Sequence, residues 1–274
     1  MRKIKKISII TLTYKNWRLL DRAIDSVKLQ IIENKYEVEY FIVDDGTEDF
    51  DQTQVQNKLI NFPYKNNIFA NHKNSGTVKS FNNAILRTSG ELIIPLSADD
   101  EFYDENVVSD IITKFENTNN LIITGIRIPI TLDKELEGLP LIRHRHLFSD
   151  REALLNRIAL KGNIISGSST YYHREIFKRI GLFDENYRLL EDFPFYIKAL
   201  KNDIDIGLFE RKTIRYGMEG TSSNGVINLM LDNDFIKLYR SILESDILGF
   251  FGKCYVYIRV CKRKLRSLGL FTNS

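Results

Sequence analysis

The chain has 274 residues, of which 43% are hydrophobic and 27% charged, and a net charge of +3. Its apolar content supports a sizeable core in one large or two small domains, while so small a net charge excludes wholesale nucleic-acid binding and confines any basic surface to a local patch. No run of eighteen apolar residues is free of charge, so no transmembrane helix is expected.

From the N-terminus, "KISIITLT" follows a few basic residues. It lacks the long apolar stretch and small-residue cleavage site of a secretory leader, and its β-branched run reads as a first buried strand. "NWRLLDRAIDSV" repeats Leu19, Leu20, Ala23, Ile24 and Val27 at helical spacing behind Asn16, a candidate cap. "EYFIV" is a second strand ending at Asp44, Asp45 and Gly46, and "NIFAN" is a third. Gly76 to Thr88 reads as a helix with Val78, Phe81, Ile85 and Leu86 facing inward. "ELIIPL" is a fourth strand despite Pro95, which a central strand tolerates poorly. Helix "NVVSDIITKF" and strand "LIITGIRI" follow. This alternation predicts βαβ units and a largely parallel sheet.

The second half is less regular. It holds a basic linker with Arg143, His144, Arg145 and His146, a helix near Arg151 to Leu160, a strand at "SSTYY", and a short helix "REIFKRI" closed by Gly181. The helix "EDFPFYIKALKN" carries Pro194 in its first turn, where proline is tolerated. Leu229 to Ile247 reads as an amphipathic helix. Beyond it "GFFGKCYVYIRVCKRKLRSLGLF" has six Lys/Arg and no acid, with Phe251, Cys254, Ile258, Cys261, Leu265 and Leu268 on one helical side. Cys254 and Cys261, the two cysteines, lie roughly 10.5 Å apart on such a helix. That is too far for a disulfide and fits a reducing cytoplasm.

Three acidic clusters carry candidate chemistry. Asp45, at the tip of a buried strand before a sharp turn, can accept an N–H from a nucleobase edge, or simply close an Asx-type turn. Asp99 and Asp100 in "LSADD" can hold a hard divalent cation that takes its remaining ligands from phosphates and water, or they can mark a solvated turn. Glu191 and Asp192 open a helix whose dipole favours negative charge, and a carboxylate held there can also deprotonate a hydroxyl. The Arg143–His146 block reads as a solvated loop or a phosphate-neutralising one. "EGTSSNG" (219–225) is a small-residue loop suited to approaching a pyrophosphate, or an ordinary turn. Neither a Walker-type phosphate loop nor a dinucleotide-binding glycine fingerprint is present.

The order of these clusters is itself informative: "TYKN", "VDDGTED", "NSGTVKSFNNAI", "GELIIPLSADD", "SGSSTYYHREIFKRIGLFDENY" and "LLEDFPFYIKAL". Over about residues 5–225 the chain resembles a family-two glycosyltransferase with the GT-A fold. The resemblance implies an α/β fold with a Rossmann-like, mainly parallel sheet and helices on both faces. Residues 1–225 would be the catalytic domain and 226–274 a helical tail. It further implies an inverting transfer of a sugar from a nucleotide-sugar donor, expected to be a UDP-sugar, to a hydroxyl of a glycan or polyprenyl-linked glycan in bacterial surface-polysaccharide synthesis. Asp45, Thr13, Tyr14 and Lys79 would bind the donor; Asp99 and Asp100 would hold Mn2+ or Mg2+ on its diphosphate. Asp192 would be the base, with Glu191 as its neighbour. Three positions depart from the family pattern: Ser97 replaces an acid, Phe81 an arginine, and "RYGMEGTSS" a histidine-containing loop. The basic tail is expected to attach the protein peripherally to the inner face of the membrane. A catalytically silent sugar-nucleotide-binding or scaffold protein of the same fold is the alternative. A nucleotidyltransferase would need an N-terminal glycine-rich phosphate loop.

Overall fold

Strands whose two faces are both covered read as unbroken apolar runs, because alternate side chains enter different cores. In β1 (Lys6–Thr13), Ile7 and Ile9 enter one core and Ile10 the other. In β2 (Glu37–Asp44), Val38, Tyr40 and Ile42 oppose Phe41 and Val43. The computed structural model describes residues 3–131, 134–217 and 228–267. Its further strands are β3 (Lys65–Ala70), β4 (Leu92–Ser97), β5 (Glu101–Phe102), β6 (Ile122–Thr131), β7 (Lys134–Glu135), β8 (Thr170–His173) and β9 (Ile206–Gly217).

They form one sheet in the order β3-β2-β1-β4-β8-β6-β9-β5, with β7 beside β6. The β3-β2-β1-β4 half is parallel throughout, and β6 runs parallel to β9 over most of its length. The antiparallel pairings of β8 span two or three residues each. Since β8 pairs with β4 only at Leu92 and Ile93, one edge of β4 is free of strand pairing by Pro95. That explains how a proline fits a strand in mid-sheet.

On one face lie α1 (Leu20–Lys28), α2 (Gln52–Lys58) and α4 (Val107–Glu116), with α3 (Thr77–Arg87) on the opposite face. The other face carries α3 itself with α6, α7 and α8, after a one-turn α5 (Ile142–Arg145); their ranges are Arg151–Lys161, Glu175–Ile180 and Asp192–Lys201. The 142–145 block is thus helical rather than an open linker. Two further expectations change. Leu86 is 69% exposed, because Val78, Phe81, Ala84 and Ile85 define the buried stripe and Leu86 falls about 100° away from Ile85. Asn16 makes no side-chain helix cap: its Oδ1 accepts from Thr13 Oγ1 (2.8 Å) and Tyr14 N (3.1 Å), bracing the end of β1.

The tail forms α9 (Leu229–Glu244) and α10 (Phe250–Ser267). Ile236, Leu238, Tyr239 and Ile242 of α9 and Val256 and Val260 of α10 join the same core as Leu154, Ile158, Phe193 and Tyr196. Arg263 pairs with buried Asp232, and Arg259 donates to the Leu160 carbonyl (3.0 Å) while stacking on Tyr239. The predicted apolar stripe lies on the opposite side and faces outward, with Phe251 87% and Ile258 53% exposed; Leu268 lies outside the described residues. Cys254 and Cys261 are free thiols, and no described helix is long and apolar enough to cross a membrane.

Because α9 shares the core, Ile242→Ala should destabilise the whole fold by about 2–5 kcal/mol. Trp17, the single tryptophan, is buried on the far face of the sheet and reports this directly. Its fluorescence midpoint in denaturant should fall; an unchanged midpoint would make the tail an independent unit.

Candidate active site

The chain steps from β1 to β2 and β3 on one side, then returns to place β4 on the other. Loops leaving β1 and β4 therefore diverge, and a crevice opens at their carboxyl ends. A cleft of about 970 Å³ occupies it. Thr13, Tyr14, Asn16, Asp45, Ser97 and Asp99 line it from the ends of β1, β2 and β4, together with Arg127, Asn163, Glu191, Asp192 and Tyr216 from later elements.

Asp44 and Asp45 divide two tasks. Asp44 closes the turn, accepting from Thr47 N and Oγ1 (both 2.6 Å), so the Asx-type role falls on it. Asp45 reaches across to the start of α3. Its Oδ1 accepts from Ser80 Oγ (2.7 Å), Ser75 N (2.9 Å) and Asn71 Nδ2 (3.0 Å), and its Oδ2 from Gly76 N (2.8 Å). Three donors crowd Oδ1 while Oδ2 has one, and with about two acceptor positions per oxygen Oδ2 retains room for one further donor.

Asp99 is buried and lines the cleft, whereas Asp100 turns beneath it. Asp100 Oδ1 accepts from Gly217 N (3.0 Å), and its buried Oδ2 has no partner. Burial, followed by the neighbouring Asp99 charge, pushes the Asp100 carboxyl up to about 8. A Cβ at Gly217 would stand 2.4 Å from the Asp99 carbonyl, so glycine lets β9 close against this turn. Among the described residues, no group of three His, Cys, Asp or Glu side chains is arranged to hold a metal alone. Ligands beyond the aspartates would come from diphosphate and water, the usual habit of magnesium.

Across the cleft, Asp192 is the first residue of α8. Its Oδ1 accepts from Phe193 N (2.6 Å) and its Oδ2 from Asn163 Nδ2 (3.1 Å). Burial pushes both carboxyls of the pair up, and the Asp192 charge pushes Glu191 further. The Phe193 N–H, the Asn163 amide and Arg127 all act to keep Asp192 ionised. Asp192 is thus the member suited to accept a proton. The approach of residues 166–168 depends on Gly167, where a Cβ would meet Asp192 Oδ2 at 3.0 Å.

The loop before this pair is held from the tail. Asp234 of α9, itself buried, accepts through Oδ2 from the N–H groups of Arg188 (2.9 Å), Leu189 (2.7 Å) and Leu190 (3.2 Å). The Arg188 carbonyl in turn accepts from Val78 N (3.4 Å) at the start of α3. Asp45 and the Glu191–Asp192 pair are thereby joined through one short route.

The structure brings Thr13, Tyr14, Asp45, Asp99, Glu191 and Asp192 to one cleft, with Asp100 just beneath. Lys79 does not join them. Thr77, Ser80 and Phe81 line the cleft, and at about 100° per residue Lys79 falls on the far, exposed side of α3. Among the described residues, the arginines that line it are Arg127, Arg157 and Arg188. Arg127 lies over the Tyr216 ring at 3.9 Å, with its Nε buried and unpartnered. Its sequence signal is a lone charge inside the apolar run "LIITGIRIPI". The loop 219–225 lies outside the described residues.

Residues 8–181 match the family model of glycosyl transferase family 2. The chain belongs to this family. Among its relatives, a glycosyltransferase of Rickettsia typhi is 26% identical over 198 residues, covering 71% of this chain and 58% of that one. One from Rickettsia bellii is 27% identical over 260 residues, covering 92% and 36%. This family 2 chain therefore spans only about a third to somewhat over half of those curated relatives. Solved structures share the GT-A fold. S. aureus TarS in complex with UDP-GlcNAc superposes with TM-score 0.65 at 19% identity, covering 95% of this chain and 73% of that one. The mannosyltransferase PcManGT from Pyrobaculum calidifontis, in complex with GDP-Man and Mn2+, gives 0.68 at 12%, covering 98% and 74%.

Asp234→Ala would leave three backbone donors without their acceptor, at about 1–3 kcal/mol for each buried donor left unsatisfied. Thermal unfolding should fall by several degrees, with Asp234→Asn, which keeps one carbonyl oxygen, lying between it and the parent. Equal midpoints for all three would remove Asp234 from its anchoring role.

Proposed function

We propose that the chain is an inverting glycosyltransferase that moves a sugar from a nucleotide-sugar donor to a hydroxyl of a glycan or lipid-linked glycan. The observation that carries this reading is a single cleft lined by Asp45, Asp99 and the Glu191–Asp192 pair. Nucleoside diphosphate sugars occupy two of the fold relatives, UDP-GlcNAc in TarS and GDP-Man in PcManGT. A UDP-sugar is the first donor to test. In this reading residues 1–225 are the catalytic part, and the tail, 226–274, completes its base loop through Asp234.

Thr13 and Tyr14 would flank the nucleotide, with the open acceptor position of Asp45 Oδ2 taking an N–H from the base edge. Asp99 would hold a divalent cation, Mn2+ or Mg2+, with Asp100 behind it. The unpartnered Asp100 Oδ2, in a carboxyl pushed to about 8, fits a site that gains from added positive charge. When bound, such an ion offsets negative charge on the departing nucleoside diphosphate. Arg127, within electrostatic reach of both Asp100 and Asp192, adds a fixed cation to the site. Asp192 takes the proton of the acceptor hydroxyl as its oxygen attacks the anomeric carbon. The bond to the diphosphate oxygen breaks in the same displacement, and the anomeric configuration inverts.

The outward side of α10 suits a peripheral position on the inner face of an anionic bilayer in a surface-polysaccharide pathway. Phe250, Phe251, Tyr257 and Ile258 are exposed there, on a segment with six Lys/Arg and no acid.

Asp192→Asn should lower turnover by about 10²–10⁴-fold while leaving nucleotide binding intact, as measured by nucleoside diphosphate release and calorimetry. Because a base must be ionised and burial raises its pKa, parent activity should climb with pH through a value above the ordinary aspartate range. Excess EDTA should remove activity, and returning Mn2+ should restore it. Near-normal turnover of the variant would exclude Asp192 as the base; EDTA-resistant turnover would exclude the cation. For the membrane contact, Phe251→Asp/Ile258→Asp should abolish sedimentation with phosphatidylglycerol vesicles. Persistent binding, or equal binding to phosphatidylcholine, would overturn it. Deleting α10 is unsuitable because Val256 and Val260 belong to the core.

A further inference from the structure

Past Asp192 the cleft continues along residues 163–168 to the junction of α5 and α6, where His144 and Arg157 line it. We propose that His144 and Arg157 form a phosphate-binding subsite on the acceptor side of the cleft, receiving a phosphate or diphosphate group that the acceptor itself carries. This rests on the glycosyltransferase reading above and adds to it the chemical class of the acceptor.

Three observations support it. First, the Arg157 charge is uncompensated. Arg157 Nη1 donates to the Gly162 carbonyl (3.1 Å), and Nη2 lies 3.4 Å from His144 Nε2. No carboxylate pairs with either side chain among the described residues. The charges that act on Arg157 are those of Arg259 and Arg143, which disfavour its charge, opposed by Tyr255. Around His144 stand Arg157, Arg143 and His146, against one acid, Glu137. Desolvation holds both groups below their ordinary values, so this half-buried pair is costly until an anion enters. Second, the donor set suits phosphate. A guanidinium has five N–H donors in a fixed fork, of which the Gly162 carbonyl and His144 Nε2 take one each, leaving three for phosphate oxygens. A neutral glycan hydroxyl would not offset the Arg157 charge.

Third, the position fits a second phosphate rather than the donor's. Gly162, whose carbonyl holds Arg157, precedes Asn163, whose amide holds Asp192. The pair therefore sits on the base side of the cleft, while Asp99 lies just past the end of β4. An acceptor seated there would carry its phosphate close to the hydroxyl that reacts.

The test uses the full chain with Mg2+ and saturating UDP, whose own binding is measured first. Glucose 1-phosphate and farnesyl diphosphate in detergent micelles are then titrated, with binding read by phosphorus NMR. His144→Gln and Arg157→Gln should each weaken phosphate binding by about tenfold without changing UDP affinity. Arg157→Lys, which keeps the charge but loses the fork, should fall between and guards against a folding defect. Tighter binding of farnesyl diphosphate supports a lipid-carrier phosphate; tighter binding of glucose 1-phosphate supports a phosphorylated sugar. Affinities indifferent to these substitutions, or phosphate probes displaced by UDP, would overturn the subsite. A chain that fails to bind UDP yet binds phosphate through Arg157 would instead defeat the donor reading alone.

Discussion

Two buried carboxylates hold the cleft together by gathering backbone N–H groups. Asp45 pins residues 75 and 76 at the start of α3, and Asp234 pins residues 188 to 190 ahead of the Glu191–Asp192 pair. The Arg188 carbonyl, accepting from Val78 N, connects the two. Hydrogen bonds to a charged acceptor are worth about 1.5–3 kcal/mol each, and loops held by several of them have few alternative conformations. Residues 75–78 and 188–190 lie more than a hundred residues apart in the chain, so this route sets the spacing between Asp45 and the Glu191–Asp192 pair.

The acids lining or underlying the cleft differ in how many donors they are given. Asp45 spends its charge on four donors and is buried at little cost. Asp100 and Glu191 are supplied with fewer partners, and burial drives their carboxyls toward the protonated form. A site arranged this way gains most when positive charge or a transferable proton arrives, which is the situation during displacement of a diphosphate.

Much of this was legible before any coordinates. Apolar runs covered on both faces identified the parallel strands, and acids placed just beyond them marked Asp45 and Asp99, because strand ends are local in sequence. Helix phase was readable for Val78, Phe81 and Ile85, yet Leu86 and Lys79 were placed wrongly when hydrophobicity and charge were weighed ahead of angle. Asp234 carried no signal, since its role depends on N–H groups some 45 residues away that no spacing rule connects to it. Arg127 could have been found as a charge stranded in a buried strand. The tail's basic character was visible, but not that Val256 and Val260 would turn one side of α10 inward, because that side is set by contact with α6 and α9.

The family match ends at residue 181, before the base pair and well before Asp234. Exchange of modules between relatives is therefore limited by a physical seam rather than by the boundary that sequence comparison draws. A chimera joined after residue 181 would carry the base loop and its carboxylate anchor together and keep them matched. One joined between residues 192 and 228 would leave three N–H groups facing whatever the foreign helix presents. The Asp234 contacts thus tie residues 188–190 to α9, so the two segments act as one physical block in this chain.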